Sequence, residues 1–356
     1  MISGPPSRYR LIDLFAGPGG LDVAATWLGL PVTGIEIDNN ACATRKKAGL
    51  VTTMGDVRDQ GPKDYPDENV LAGGPPCQTY TVAGSGAGRK ALDEVLAFAR
   101  RMHEGEDVRT ELAKMPDVRT GLVLEPLRWA LEAIDLERPY EVIVLEQVPA
   151  VLPIWDAMAK ILRSKGYGVA TGILRTEQFG VPQTRRRAVL IARRGTTEVA
   201  LPHPTHRKYR KGVPRNQGDP MLKPWVPMGK VVRGGQAFTV VSNYGTGGDP
   251  KARGKRTHAE PSATVTGKIS RNRIEGDGSR FDWPEAGLLQ TFPADYPWDG
   301  GDISQQIGNA VPPLLALHVL DAALQMGTDL EVWSAAKLPR WAKTVGSIIS
   351  AEEMSR

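Results

Sequence analysis

Short apolar runs alternate with helical patterns through the first two hundred residues of the chain. Helical character at residues 21–28 and 39–48 ends at Gly29 and Gly49, which are typical stop signals. The apolar runs predict strands at residues 9–15, 32–37, 51–54, 70–72, 142–145 and 188–192. Strands that alternate with helices predict an α/β fold, with a mostly parallel sheet and helices on both faces.

The first predicted strand leads directly into a glycine-rich turn. Gly17, Gly19 and Gly20 let the backbone approach a ligand closely, and the helix that follows would point its first amides at that ligand. Glu36 ends the second strand 16 residues later, near the place where an acidic residue binds ribose hydroxyls in dinucleotide-binding folds. Together these features favour a nucleoside-containing cofactor over a purely structural turn. They do not distinguish a nicotinamide from another adenosine cofactor.

One of the two cysteines is a candidate nucleophile. Residues 73–78 read Gly-Gly-Pro-Pro-Cys-Gln and follow the predicted strand at 70–72, so Cys77 lies at the end of a stiff loop. Such a loop is a common way to present a nucleophile, and nearby positive charge would raise its thiolate fraction. Cys42 lies in a predicted helix beside two alanines, and we interpret it as a small buried apolar residue.

Composition limits the classes of protein that fit. The 356 residues predict two or three units, and 41% hydrophobic residues exclude global disorder. Two cysteines exclude a disulfide-rich scaffold and a cysteine-built zinc site, and we expect no metal. No secretory signal is visible, and no run approaches the roughly 18 apolar residues of a membrane span. We therefore expect a soluble, cytoplasmic protein with no membrane association.

Positive charge is concentrated in one segment. The chain carries a net +5, but residues 193–283 contain 18 Lys/Arg against 7 Asp/Glu. Four aromatic residues that could stack on bases are interspersed there, namely Tyr209, Trp225, Phe238 and Tyr244. A basic segment of loops and short strands inside an otherwise acidic chain indicates a nucleic-acid-binding module. The alternative is a solvated, basic surface region.

Six sequence blocks, in order, resemble those of the DNA (cytosine-5)-methyltransferase family, over about residues 10–320. The first contains the glycine turn, the second contains Cys77, and the third has Gln147 where the family has Asn. The blocks are residues 13–20 (DLFAGPGG), 74–78 (GPPCQ), 146–148 (EQV), 183–187 (QTRRR), 289–293 (LQTFP) and 306–311 (QIGNAV). The resemblance implies a Rossmann-like methyltransferase domain, with a smaller target-recognition domain of loops and strands.

The resemblance also resolves the cofactor as S-adenosylmethionine, with S-adenosylhomocysteine as the product. Glu36 would hold the ribose hydroxyls, Asp56 the adenine amino group, and Asn309 would approach from the last block. The full predicted cofactor set is Phe15, Ala16, Gly17, Gly19, Gly20, Glu36, Ile37, Asp56, Pro75, Asn309 and Ala310.

The implied reaction is methyl transfer to carbon 5 of a flipped-out cytosine. The Cys77 thiolate would add to carbon 6, and the carboxyl of Glu146 would bind the ring nitrogen and amino group. Arg187 would hold the carbonyl oxygen of the base, and Arg185 would raise the thiolate fraction. Contacts to DNA are predicted for Gln78, Gln183, Arg271 and Arg273.

The block order predicts the domain layout and the partners. Residues 1–197 and 304–327 would form the catalytic domain, 198–303 the target-recognition domain, and 328–356 a tail to which the resemblance assigns no role. The expected partner is double-stranded DNA, with a cognate restriction endonuclease as a further candidate, and we expect a monomer. We also predict a mobile catalytic loop at 84–88, followed by a surface insertion.

Gln147 leaves one question open, because its extra methylene could brace or misplace the Cys77 loop. Two alternatives therefore stand beside an active enzyme. One is a catalytically silent DNA-binding homologue, and the other is an RNA cytosine-5 methyltransferase on the same scaffold. A nicotinamide oxidoreductase fits less well, because it needs neither the loop thiol nor the basic segment.

Overall fold

The computed structural model describes residues 8–76, 86–242 and 254–344. Its main sheet has seven strands in the order β3-β2-β1-β4-β5-β7-β6. The strands are β1 Leu11–Leu14, β2 Val32–Glu36, β3 Thr52–Met54, β4 Val70–Gly73, β5 Val142–Gln147, β6 Tyr167–Arg175 and β7 Arg186–Arg194. All are parallel except β7, which runs antiparallel to both β5 and β6. The predicted mostly parallel sheet is therefore confirmed.

Helices cover both faces of this sheet. In chain order, the α-helices of the described residues are α1 Gly20–Trp27, α2 Asn39–Lys47, α3 Gly86–His103, α4 Arg109–Leu112, α5 Glu125–Asp135, α6 Leu152–Ser164, α7 Trp283–Leu289, α8 Ile303–Asn309 and α9 Pro313–Leu324. Alternate residues of β5 show the two layers. Val142 and Val144 pack in a core with α1 and α9, whereas Ile143 and Leu145 pack in a second core with α5 and α6. The sheet is thus buried on both sides, as its continuous apolar runs predict.

A small antiparallel sheet lies in the basic segment. It has the order β10-β8-β9, with β8 at Thr239–Val241, β9 at Lys255–Thr257 and β10 at Arg273–Ile274. Its apolar residues form a third cluster, to which Ile303 and Ile307 of α8 also belong. The smaller sheet is therefore packed against α8 and is not connected to the main fold by a linker alone.

The insertion between β4 and β5 differs from the prediction. The helix α3 begins at Gly86, so the last three residues of the predicted loop at 84–88 are helical, and 84–85 lie outside the described residues. The insertion is also not merely a surface feature, because Val95 and Ala99 are fully buried in the core beside α6. An amphipathic helix buries its apolar face wherever a core can accept it.

One described segment, Ile303–Leu324, is long and apolar enough to pass a compositional test for a membrane span. It consists of two helices, α8 and α9, and 78% of its most apolar window is buried inside the molecule. Burial of this kind is what a core helix of the fold requires.

Candidate active site

The candidate residues meet at one edge of the main sheet, where the parallel strands end. Strand β1 is paired with β2 on one side and with β4 on the other, and the chain leaves β1 toward β2 but later returns to β4. Ligands of open α/β sheets bind at such a reversal of strand order, outside the carboxyl ends of the strands. The glycine turn follows β1 at this point, and the loop that leads to Cys77 follows β4.

Glu36 closes the glycine turn from the end of β2. One of its carboxylate oxygens accepts a hydrogen bond from the Gly17 amide at 2.7 Å. The other accepts from the amides of Ile37 and Asp38, at 2.8 and 2.7 Å. These bonds fix the carboxylate at the sheet edge, and the oxygen that accepts from Gly17 retains lone-pair capacity for a ligand hydroxyl.

Two glycines of the turn are required by close contacts. A Cβ on Gly20 would collide with the backbone carbonyl of Val311, so the C-terminal block that contains Asn309 and Ala310 lies directly against the start of α1. Gly19 adopts a left-handed backbone (φ +99°), and a Cβ there would meet Leu50. The structure therefore brings the first and last sequence blocks together. Phe15 and Gly17 also have positive φ, which folds the turn back on itself.

A buried ion pair lies next to the glycine turn. The Arg45 guanidinium bonds both carboxylate oxygens of Asp22, at 2.6 and 2.9 Å, and both side chains are fully buried. Asp13 of β1 is buried beside them, and burial together with the nearby Asp22 charge raises its pKa well above the usual range. A buried polar network of this kind fixes the geometry of the elements it joins.

The remaining predicted cofactor residues surround the same edge. Ile37 is 60% exposed although it is apolar, and it lies directly beside the Glu36 carboxylate. Asp56 follows β3 and bonds Arg58, which lowers the pKa of the Asp56 carboxyl. Asn309 is exposed at the end of α8, where its side-chain oxygen accepts from Gln305 at 2.6 Å. An acceptor carboxylate, an exposed apolar surface and a polar amide fit a ligand that contains a nucleoside.

The antiparallel strand β7 brings Glu146 and Arg187 together. Because β7 runs opposite to β5, its first residues lie at the edge where β5 ends, and Glu146 is opposite Val189. Arg187 Nε lies 2.7 Å from Glu146 Oε1, and both side chains are nearly buried. The other carboxylate oxygen, Oε2, would lie 3.9 Å from a Cβ on Gly74, so the carboxylate faces the start of the Cys77 loop. Cys77 and Gln78 themselves lie outside the described residues.

Gln147 is bonded to the loop that leads to Cys77. Its side-chain amide nitrogen donates to the Pro75 carbonyl, and its oxygen accepts from the Val148 amide at 2.5 Å. Of the two outcomes that the extra methylene left open, the described residues favour a brace over a misplaced loop. Pro75 is buried, so its carbonyl depends on a protein partner.

Two side chains of the arginine block (residues 183–187), those of Gln183 and Arg185, lie in the joint between the main sheet and the small sheet. They do not face the sheet edge where Glu36 and Glu146 lie. Gln183 is fully buried, where its amide bonds Leu289, Gln290 and Val265. Arg185 is also buried, and it donates to the carbonyls of Val265, Gly308 and Ala310 at 2.9 to 3.4 Å.

The prediction that Gln183 contacts DNA is wrong, because a fully buried side chain with three bonded partners cannot reach a DNA groove. Arg185 connects the small sheet to the Asn309 segment, a structural role that the sequence did not predict. Arg271 is exposed beside the small sheet, whereas Arg273 is half-buried in β10. Among the described residues, no group of three or more His, Cys, Asp or Glu is placed to hold a metal ion.

The sequence profile of C-5 cytosine-specific DNA methylases matches residues 9–99 and 131–227, more than half of the chain. The chain belongs to this family. The match includes the glycine turn, the Cys77 loop, Glu146 and the arginine block. The enzyme class predicted from the sequence blocks, a DNA cytosine-5 methyltransferase, is thus confirmed.

Relatives and solved structures agree with the family. The chain is 27% identical over 351 residues to the type II methyltransferase M1.HphI of Haemophilus parahaemolyticus, covering 89% of this chain and 87% of that protein. It is 25% identical to the type II methyltransferase M.NgoFVII of Neisseria gonorrhoeae, over 92% and 90% of the two chains.

The crystal structure of the S. pombe Dnmt2 methyltransferase matches with a TM-score of 0.61 at 17% identity, over 89% of this chain and 98% of that one. An E. coli prophage-encoded putative DNA modification methyltransferase matches with a TM-score of 0.55 at 18% identity, over 89% and 99%. These likenesses confirm the Rossmann-like methyltransferase fold.

Proposed function

We propose that this DNA cytosine-5 methyltransferase binds S-adenosylmethionine at the glycine turn and methylates a flipped-out cytosine of a specific DNA sequence through a covalent Cys77 adduct. One observation carries the proposal. The Glu146–Arg187 pair lies beside Gly74, so a carboxylate and a guanidinium adjoin the loop that leads to the thiol. The glycine turn follows the neighbouring strand β1 at the same sheet edge.

The cofactor would lie across the ends of β1, β2 and β3, where it supplies an electrophilic methyl group. Glu36 would accept hydrogen bonds from its ribose hydroxyls, with Ile37 against the adenine and Asp56 near the amino group. The turn from Phe15 to Gly20 would follow the amino-acid part, with Pro75, Asn309 and Ala310 on the other side. Covering Ile37 would remove an exposed apolar side chain from water, which favours binding.

The chemistry depends on activating a ring carbon that is a poor nucleophile. The Cys77 thiolate would add to carbon 6 of cytosine, which moves electron density to carbon 5, and carbon 5 would then take the methyl group. Loss of the carbon 5 proton and of the thiolate would restore the aromatic ring. Glu146 would bind the ring nitrogen and amino group while charge develops, and Arg187 would hold the base carbonyl.

DNA would bind along the basic segment. Its lysines and arginines would neutralise phosphates, so we expect affinity to fall steeply with salt. Arg271 and Arg273 remain our candidates for base contacts, and Gln78 for a contact near the flipped base. Removing the cytosine from the stack costs a few kcal/mol, which these contacts would have to offset.

The enzyme would act as a monomer on cytoplasmic DNA. Its relatives M1.HphI and M.NgoFVII are named as type II methyltransferases, so we propose that it protects DNA against a cognate restriction endonuclease. The domain layout of the proposal keeps residues 198–303 for target recognition and returns to the catalytic domain at 304–327.

The covalent step is tested with a duplex that carries 5-fluorocytosine at the target position, incubated with S-adenosylmethionine. Fluorine cannot leave as a proton does, so the enzyme should remain attached to the DNA through Cys77 and migrate as an adduct on a denaturing gel. Cys77→Ser is the matched control and should form no adduct while it still binds the duplex. An enzyme that binds this DNA without forming an adduct would support the silent homologue instead.

A further inference from the structure

We propose that the C-terminal strap, residues 328–344, holds the glycine turn in its binding conformation, and that Tyr296 is the positioning residue through which it acts. This inference rests on the proposed cofactor site. The strap follows α9 and lies beyond the last of the six sequence blocks, so the family resemblance gives it no role. Its contacts include the ends of α1 and α2 and the loop before α8. It also contacts α9 through Asp321, and its Glu331 pairs with Lys223 of the basic segment at 3.4 Å.

The strap packs against the core of the molecule. The ring of Trp333 lies 5.0 Å from that of Trp27, the last residue of α1. Ala335 is buried in the same core as α1 and α9. Trp341 is only 3% exposed, and its indole nitrogen donates to the carbonyl of Ala48 at the end of α2, at 2.9 Å. The buried indole of Trp341 and the half-buried indole of Trp333 stabilise the strap against the core.

Asp295 binds the end of the strap by hydrogen bonds and lies in the same loop as Tyr296. One carboxylate oxygen accepts from the Trp341 amide at 2.7 Å, and the other accepts from the Ala342 amide at 3.2 Å. The Trp341 ring then contacts the Tyr296 ring edge to face, with 5.4 Å between the centroids. The strap therefore holds the Asp295 side chain and the Tyr296 ring, next to the glycine turn.

Tyr296 completes the connection to the turn. Its hydroxyl donates to the carbonyl of Pro18, which lies between the first two glycines of the turn. A Cβ on Gly19 would lie 3.0 Å from the same hydroxyl oxygen, so Tyr296 backs the turn closely. The rings of Phe292 and Trp298 hold the tyrosine ring from other sides, at 4.8 and 4.9 Å.

The functional consequence concerns cofactor affinity and not the chemical step. If the Pro18 carbonyl loses its partner, the glycine turn can adopt other conformations, because glycines restrict the backbone least. A smaller binding-competent fraction raises the apparent Kd in proportion. Once the cofactor is bound, the turn is held in place and the rate of methyl transfer should change little.

The test compares three conservative variants of the full chain. Tyr296→Phe removes only the hydroxyl, and Trp341→Phe removes the indole bond to Ala48 and shrinks the ring against Tyr296. Trp333→Phe is the matched control, because it truncates another strap indole that contacts the far end of α1. Calorimetry gives the Kd for S-adenosylmethionine, and steady-state kinetics give its KM and the kcat with duplex DNA.

We expect Tyr296→Phe and Trp341→Phe to raise the Kd and KM for S-adenosylmethionine about 3- to 10-fold, the size of one lost neutral hydrogen bond. The kcat and the affinity for DNA alone should stay within about twofold of wild type. Unchanged cofactor affinity in Tyr296→Phe would overturn the inference. So would equal weakening in Trp333→Phe, which would indicate general loosening. If the wild type binds no S-adenosylmethionine, the proposed function fails as well.

Discussion

The substitution Gln147→Asn restores the residue that is usual in the family, and we nevertheless expect it to slow this enzyme. The Gln147 amide reaches from the end of β5 to the Pro75 carbonyl, and its oxygen also accepts from Val148. The backbone of Gln147 is fixed by its pairing with Ala188 in the sheet. Asn is shorter by one carbon–carbon bond, about 1.5 Å, so its amide cannot keep both bonds on this backbone.

The expected magnitude follows from those two bonds. A neutral hydrogen bond contributes about 1 kcal/mol, and leaving the buried Pro75 carbonyl without a partner costs about 1–3 kcal/mol. The loop that follows Pro75 leads to the nucleophile, and a displacement of about 1 Å in a reacting group can lower a rate roughly 100-fold. We therefore expect the single-turnover rate constant of methyl transfer to fall about 10- to 100-fold while the Kd for S-adenosylmethionine changes little.

Single-turnover methyl transfer to a duplex measures this effect without product release, and calorimetry measures the cofactor affinity. Gln147→Met, which keeps the length but has no amide, is the companion variant and should be at least as slow. A Gln147→Asn enzyme with the wild-type single-turnover rate would refute the reasoning, because the length of the brace would then be immaterial.

Two further predictions concern stability. Asp22→Asn leaves Arg45 buried without its counter-charge and should lower the free energy of unfolding by about 3–5 kcal/mol in urea titrations. The control Asp107→Asn alters an exposed ion pair and should change the free energy of unfolding little. Equal effects of the two substitutions would contradict the buried-pair account. His318 is buried beside His206, and burial lowers its pKa to about 4. As the pH drops, His318 takes up a proton in the unfolded chain before it does so in the folded chain. The free energy of unfolding should therefore fall between about pH 6.5 and about pH 4, by about 3 kcal/mol for His318. His318→Phe should flatten that part of the profile, and an unchanged slope would contradict it.

Much of the fold could be predicted because its strands are buried on both faces. A continuous apolar run such as that of β5 is visible without any structural information, and so is the glycine turn after β1. Strand β6 was missed because it lies at the sheet edge, where Gly168, Gly172 and half-buried positions interrupt the apolar pattern. The direction of β7 was equally invisible, because periodicity reports burial and not orientation.

That direction matters for the site. If β7 were parallel to β5, Arg187 would lie at the opposite edge of the sheet from Glu146, and the ion pair could not form. Sequence blocks identified both residues but could not explain how they meet. The same limit applies to Gln183 and Arg185. Their places in the sequence blocks predicted a DNA contact for Gln183 and a role beside the thiolate for Arg185, although both are buried between the two sheets, where they bond Val265.

The strap shows a third kind of limit. Trp341 and Tyr296 lie far apart along the chain, and their contact depends on the loop before α8 folding back onto the glycine turn. A buried aromatic residue carries little information about its partner in a single sequence. Only the tertiary structure shows that the tail and the cofactor half form one core.

The most direct test of the central claim is bisulfite sequencing of an expression plasmid from a host that lacks cytosine methylation. The account predicts cytosines protected from conversion in one sequence context with the wild-type enzyme, and complete conversion with Cys77→Ser. Complete conversion with folded wild-type protein that binds S-adenosylmethionine would contradict the assignment of methyl transfer to DNA.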